Sequence, residues 1–219
     1  MRYKFYREHK YVSHRFNELE RLVARTDFRQ TEELNNIKEA FEQLIQLLEG
    51  HAKYEDDSLH VLLKRKNSVV YKHIEEDHEQ LDKQIASLRN LLVKISEAGT
   101  QEDKVEAGYQ FYLWFRKFSG DNLIHLHEEE TIILPELQRL YSDEELRNVE
   151  AATYSIMTAE ELIQMLEELF PHMNPSDWQA FLADIQEAVP AKFIEVWNGI
   201  KTKMTPDQQE YFIKKLNIV

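Results

Sequence analysis

The sequence predicts an all-α protein: an up-down-up-down four-helix bundle followed by several shorter helices. Three observations predict it. The 219 residues contain only 5 Gly and 5 Pro among many Leu, Glu, Gln, Lys and Ala, a balance that favours long helices over strands and turns. Four long stretches carry apolar residues at alternating steps of three and four. The breaks between them, "TDFRQ", Asn67 with Ser68, and "EAGTQED", are short enough that successive helices are expected to be antiparallel neighbours.

The first seam is Phe5, His9, Val12, Phe16, Leu19, Val23. The second starts near Thr31 and runs Ile37, Phe41, Leu44, Leu48, His51, Glu55, Ser58, Leu62. The third is Ile74, His78, Leu81, Ile85, Leu88, Leu92, and the fourth is Phe111, Phe115, Phe118, Asn122, His125, Glu129, Ile132. Residues 1–145 are therefore expected to form the bundle, with 146–219 as a C-terminal helical region of four or five shorter helices. Capping boxes at Ser142 with Glu145 and at Thr158 with Glu161 start two of these, and Pro175 and Pro206 stand at first-turn positions behind Asn174 and Thr205. Their apolar faces (Trp178, Phe181, Leu182, Ile185; Phe193, Val196, Trp197, Ile200) are expected to pack on the bundle or on a second copy, and the C-terminal helices or the bundle surface could serve a homodimer.

A net charge of −13 speaks against nucleic-acid and membrane-surface binding. With no Cys there is no disulfide, thiolate metal site or thiol nucleophile. "MRYKFYREHKYV" lacks an apolar leader core and no stretch approaches 18 apolar residues, so a cytoplasmic location is expected.

Each seam contains a histidine, and the spacing around them repeats. His51 precedes Glu55, and His125 precedes Glu129, by four residues, which on a helix aims an imidazole and a carboxylate at the same point. The repeat continues: "HAKYEDDSLHVLL" and "HLHEEETIILPEL" match in an acidic pair, an apolar residue and a closing Leu. His9 and His78 are each followed by apolar residues at the third, seventh, tenth and fourteenth positions. At 1.5 Å per residue, His9, His78, Glu55 and Glu129 fall within about two turns of one height in an antiparallel bundle. Four imidazoles and two carboxylates in an apolar core are costly without a cation, because buried carboxylates repel and desolvate badly. Two metal ions bridged by the carboxylates would resolve this, and thiolate-free imidazole and carboxylate donors suit non-haem iron best, with manganese or zinc behind. The alternative is a set of solvated i,i+4 pairs on a metal-free helical module. His60, nine residues from His51, and His127, two from His125, point away on regular helices; His14 and His172 also lie off the seams or outside the bundle, and Tyr54 and Trp114 lie near the seam.

"HKYVSHRFNEL", "LLEGHAKYEDDSLHVLL", "EEDHEQLDKQI" and "NLIHLHEEETIILPEL" together resemble the four helices of hemerythrin-like (HHE cation-binding) proteins over residues 1–145. The resemblance implies an oxo- or hydroxo-bridged di-iron centre that takes O2 or a related small molecule, NO or peroxide, with His9, His51, Glu55, His78, His125 and Glu129 as ligands. It points to a binding protein more than an enzyme; a ferritin-like oxidase would want Glu-x-x-His twice, and the chain offers only Glu75 to His78. Two positions depart from the oxygen carriers of the family. They carry a second third-helix histidine one turn before the first, where this chain has Ile74, with His73 the nearest substitute. Their acidic bridge lies five residues after the fourth-helix histidine, which here is Glu130.

Overall fold

The computed structural model describes residues 2–218. It contains helices and connecting turns with no strand among them, and no helix of the described residues is long and apolar enough to cross a membrane. The chain divides into two compact units. One is Val12–Pro135; the other joins the residues before Val12 to those from Glu136 onward. The expected line at residue 145 lies ten residues further along, and the pairing of the first eleven residues with the C-terminal helices has no sequence signal.

In the first of these units, α1 (His9–Arg25), α2 (Thr31–Glu55), α4 (Val70–Glu97) and α5 (Gln101–Glu128) share one core, with the short α3 (Val61–Arg65) following α2. Val12, Phe16, Leu19 and Val23 of α1 meet Ile37, Phe41 and Leu44 of α2, Leu88 and Leu92 of α4, and Phe111, Phe115 and Phe118 of α5, all buried. The aromatic rings pack edge-on or offset, Phe16 on Phe118 at 5.6 Å and Phe41 on Phe111 at 5.9 Å. The seams face inward as their periodicity requires, with two exceptions. Phe5 is buried, but it precedes α1, and Tyr6 at φ 70° turns the chain before the helix begins. Ile132, expected to continue the fourth seam, is 41% exposed, because the π-turn over Glu129–Ile133 resets the face and buries Ile133 instead.

Two interruptions concern the site. A π-turn spans Asp56–His60 directly after α2, and a second spans Glu129–Ile133 directly after α5, leading into α6 (Leu134–Leu140). A π-turn spreads more residues over each rotation and resets the face that follows. Both fall in the repeated "HAKYEDD" and "HLHEEE" segments, within one residue of the matched offset.

The other unit holds α7 (Asp143–Ile156), α8 (Ala159–Leu169), α9 (Pro175–Ala188), α10 (Pro190–Ile200) and α11 (Pro206–Leu216). The capping boxes at Ser142, Thr158, Asn174 and Thr205 are all formed, each with its side chain accepting a first-turn N–H. Phe181, Leu182, Ile185, Phe193, Val196, Trp197 and Ile200 are buried as the patterning requires. Arg2 ties the N-terminal segment to this unit: its Nε donates to Asp143 at 2.7 Å and its Nη2 to the carbonyls of Gln138 and Tyr141. Beside it Tyr3 donates to Asp184 at 3.2 Å and Arg7 pairs with the same carboxylate. Glu150 lies in this polar cluster, where burial and then the neighbouring charge of Glu8 push its carboxyl up to about 8.

Two outcomes follow. Gly108 faces Phe28, and a Cβ there would come within 2.3 Å of the ring, whereas Gly50 and Gly120 have open space. Gly108→Ala is expected to destabilise by roughly 1–3 kcal/mol, while Gly50→Ala and Gly120→Ala are neutral or stabilising by up to about 1 kcal/mol, read from urea unfolding. The raised carboxyl of Glu150 means that the folded chain keeps a proton which the unfolded chain releases above its ordinary value. Its contribution is therefore largest in mild acid and is lost as pH climbs through about 8. The urea midpoint of Glu150→Gln, compared with wild type at pH 5.5 and 8.5, is expected to gain on wild type at the higher pH.

Candidate metal centre

The site is built by helix periodicity at the ends of α2 and α5. His51 and Glu55 occupy the last turn of α2, and the His51 Nε2 lies 3.3 Å from the Glu55 carboxylate. His125 occupies the last turn of α5, and its Nε2 lies 3.2 Å from Glu129, which opens the second π-turn. Both carboxylates are withdrawn from water, Glu55 at 0% and Glu129 at 1% exposure. His78 comes from α4, and its Nε2 is 3.1 Å from that of His125, with the rings edge to face. Glu55, His78, His125 and Glu129 each present a donor atom within 4.8 Å of the others. Four of the six expected residues are thus gathered in one place, with His51 in contact with Glu55. The sixth, His9, is buried at the first residue of α1 and stacks on Tyr6 with ring centres 4.7 Å apart; it belongs to the other compact unit.

The outer nitrogens of the two central imidazoles face carboxylates. His78 Nδ1 is 3.6 Å from Asp56, and His125 Nδ1 is 3.9 Å from Asp77. Such partners favour the tautomer that leaves both Nε2 lone pairs pointing at the centre. Two lone pairs 3.1 Å apart repel unless a proton or another cation lies between or beside them. Burial, then the charges of His125 and His60, lowers the pKa of His78. Burial also acts to lower that of His125, but the hydrogen bond and charge of Glu129, with Asp77 and Glu128, outweigh it and leave the group raised. The Glu129 carboxylate beside His125 thus favours positive charge at this place. A metal ion would meet the same demand with more charge, and the donor set fits one: imidazole nitrogens and carboxylate oxygens in a buried place, with no thiolate.

The exposed residues answer the alternatives left by the sequence. Glu130 and His127 face outward, so Glu129 is the inward member of the "EEE" run. Ile74, one turn before His78, is buried apolar wall. His73 is half exposed and pairs instead with Glu128 at 3.2 Å and Asp77 at 3.5 Å, outside the central group. Trp114 is exposed and lines no part of the site. His60 corrects an expectation. Regular helix geometry turns it away from the His51 face, yet it is only 2% exposed, with Nδ1 2.9 Å from Asp56 and its ring 5.3 Å from that of His78. The π-turn supplies the reason: it turns His60 onto the Glu55 side, and a seam count at 100° per residue misses it. Asp56, which links His60 to His78, was missed likewise; the sequence signal was the matched "EDD" and "EEE" following each inward pair.

A bundle of long helices that gathers imidazoles and carboxylates at one buried place is that of a cation-binding helical protein. A family model described as Hemerythrin HHE cation binding domain matches residues 1–137, and the chain belongs to that family. No curated protein and no solved structure matches it.

Because His60 is buried and bonded, His60→Ala is expected to cost roughly 1–3 kcal/mol in urea unfolding, from the lost packing and from Asp56 losing its partner. His127→Ala and His73→Ala should change stability by about 0.5 kcal/mol or less. Equal effects for His60 and His127 would return His60 to the surface.

Proposed function

We propose that this chain is a non-haem di-iron protein whose buried pair binds O2 or a related small molecule, NO or peroxide, for sensing, delivery or scavenging. The observation that carries the reading is the burial of Glu55 and Glu129 together with three imidazoles. Two carboxylates withdrawn from water call for positive charge, and a pair of cations held by Glu55 and Glu129 would supply it. His51 would serve one side with Glu55, and His125 the other with Glu129. His78 would approach through Nε2, held by Asp56. His9, buried in the first turn of α1, would complete the set as the fourth imidazole, which is the role that the family resemblance gives it. The iron pair, when bound, would supply open coordination positions for a small molecule. Ile74 supports such an opening, because an apolar side chain stands where the oxygen carriers have a further histidine.

An oxidase of the ferritin-like kind finds less support. Its Glu-x-x-His step is met only at Glu75, which is exposed and hydrogen-bonded to Tyr71 on the outside of α4.

Protein purified from iron-replete cells is expected to carry about two irons per chain, with near-ultraviolet absorption. Glu55→Ala, Glu129→Ala, His51→Ala, His78→Ala, His125→Ala and His9→Ala should each sharply reduce both. Chelation should lower the Tm, since an ion bound only by the folded chain adds roughly 4 kcal/mol at 1,000 times its Kd. Recovery of no metal, or of a single zinc, together with melting indifferent to chelator, would defeat the reading.

A further inference from the structure

A cavity of about 120 Å³ lies among α2, α4 and α5, with His51, Glu55, His78 and His125 in its wall. Its size suits a ligand of a few heavy atoms. Most of the remaining wall is apolar, and the carboxylates of Glu49, Asp56 and Asp82 stand at its exposed side. One wall residue is polar, uncharged and unused by the proposed ligand set: Asn122, one turn before His125 on the same face of α5 and 5% exposed. Its Nδ2 donates to the Phe118 carbonyl at 2.7 Å. A carbonyl oxygen can only accept, so the amide orientation is fixed, with Nδ2 turned back to the helix and Oδ1 away from it. Asn122 therefore offers the cavity an acceptor.

An acceptor in a small, largely apolar cavity discriminates by what the ligand can donate. Buried polar groups left without a partner lose more than a hydrogen bond gains, so a ligand carrying an O–H is favoured over one without. Toward an anion the Oδ1 lone pairs and the acidic rim are of the wrong sign and offset part of the attraction of the irons. We propose that Asn122 makes this cavity select small neutral ligands that donate a hydrogen bond, hydrogen peroxide first, over O2 and over acceptor-only anions. The inference rests on the di-iron reading and narrows its ligand class.

The test uses the full chain, loaded and assayed for two irons before any ligand is added. Asn122→Thr keeps an acceptor: its hydroxyl can donate to the carbonyl four residues back, as Asn122 does, and still face the cavity with lone pairs. Asn122→Val has nearly the same shape and no acceptor. Hydrogen peroxide and O2 are each mixed with the reduced protein, and the rise of the near-ultraviolet band gives a rate constant. Azide, an acceptor-only anion, is titrated into the oxidised protein to obtain a Kd. Relative to Asn122→Thr, the valine variant is expected to react with peroxide about five- to tenfold more slowly, the worth of one hydrogen bond. Its O2 rate should stay within about twofold and its azide binding should tighten about five- to tenfold, by the same measure. A general loosening of the site would move peroxide and azide in the same direction, and that result, or equal peroxide rates for the two variants, overturns the proposal. Should Asn122→Val fail to load iron, Asn122→Ala is read by the same criteria. A wild-type chain without an iron pair fails at the metal assay; that defeats the di-iron reading and this one with it, whereas a loaded chain with indifferent variants defeats this one alone.

Discussion

Two glutamates, Glu55 and Glu129, lie without access to water on the two seams that carry a His-x-x-x-Glu step. Everything around them answers that constraint. A lone buried carboxylate would take up a proton or draw in solvent. Two of them, each with an imidazole within 3.3 Å, call for positive charge at one place. His78 and His125 aim their Nε2 atoms at that place, and Asp56 and Asp77 stand behind them beside the Nδ1 atoms. The site is thus built in two layers, and the outer layer uses carboxylates that can remain partly hydrated.

The backbone shows the same economy. A regular helix carrying His51 and Glu55 inward would swing His60, nine residues from His51, to the opposite face. The π-turn after Glu55 puts both Asp56 and His60 within reach of His78, so one local irregularity serves the inner carboxylate and the outer pair together. The second π-turn, at Glu129, stands at nearly the same place in the repeated segment. Past Glu130 and Thr131 the residues that follow it are apolar, and no histidine equivalent to His60 occurs, for Leu134 occupies that offset. The two halves of the site are therefore alike in their inward His and Glu residues and unlike in what backs them.

Much of this was legible in the sequence. The seams, the break at Asn67 and the four caps are properties of residues within a few positions of one another, and the bundle follows from them. The inward Glu129 was legible as well, because it lies four residues from His125 where Glu130 lies five. What was not legible depends on accumulated rotation or on distant contacts. His60 was misplaced by counting 100° through a segment that does not keep that pitch. Phe5 was counted into the first helix although the chain turns at Tyr6. The attachment of the first residues to the C-terminal helices rests on Arg2 and Asp143, residues 141 positions apart with ordinary surface chemistry. Local rules failed most clearly beside the site, where a strict pattern gives way to function.

Along α5 the inward face reads Phe111, Phe115, Phe118, Asn122, His125 and Glu129, all buried, and it grades from aromatic through amide to ionisable within five turns. The aromatic part supplies the cohesion: three rings packed against Phe16, Phe28 and Phe41 hold the helix in rotation as well as position. The polar part would be unfavourable by itself, since neither an amide nor a carboxylate gains by leaving water. Fixing the rotation of α5 at Phe115 and Phe118 fixes the direction of His125, two and three turns further on, whether or not an ion is bound. Stability and function are therefore assigned to different lengths of one helix, and Asn122 stands at the joint. Its Nδ2 satisfies the carbonyl of the last aromatic residue, and its side chain lines the cavity, which makes it the first on this face to serve the site instead of the core.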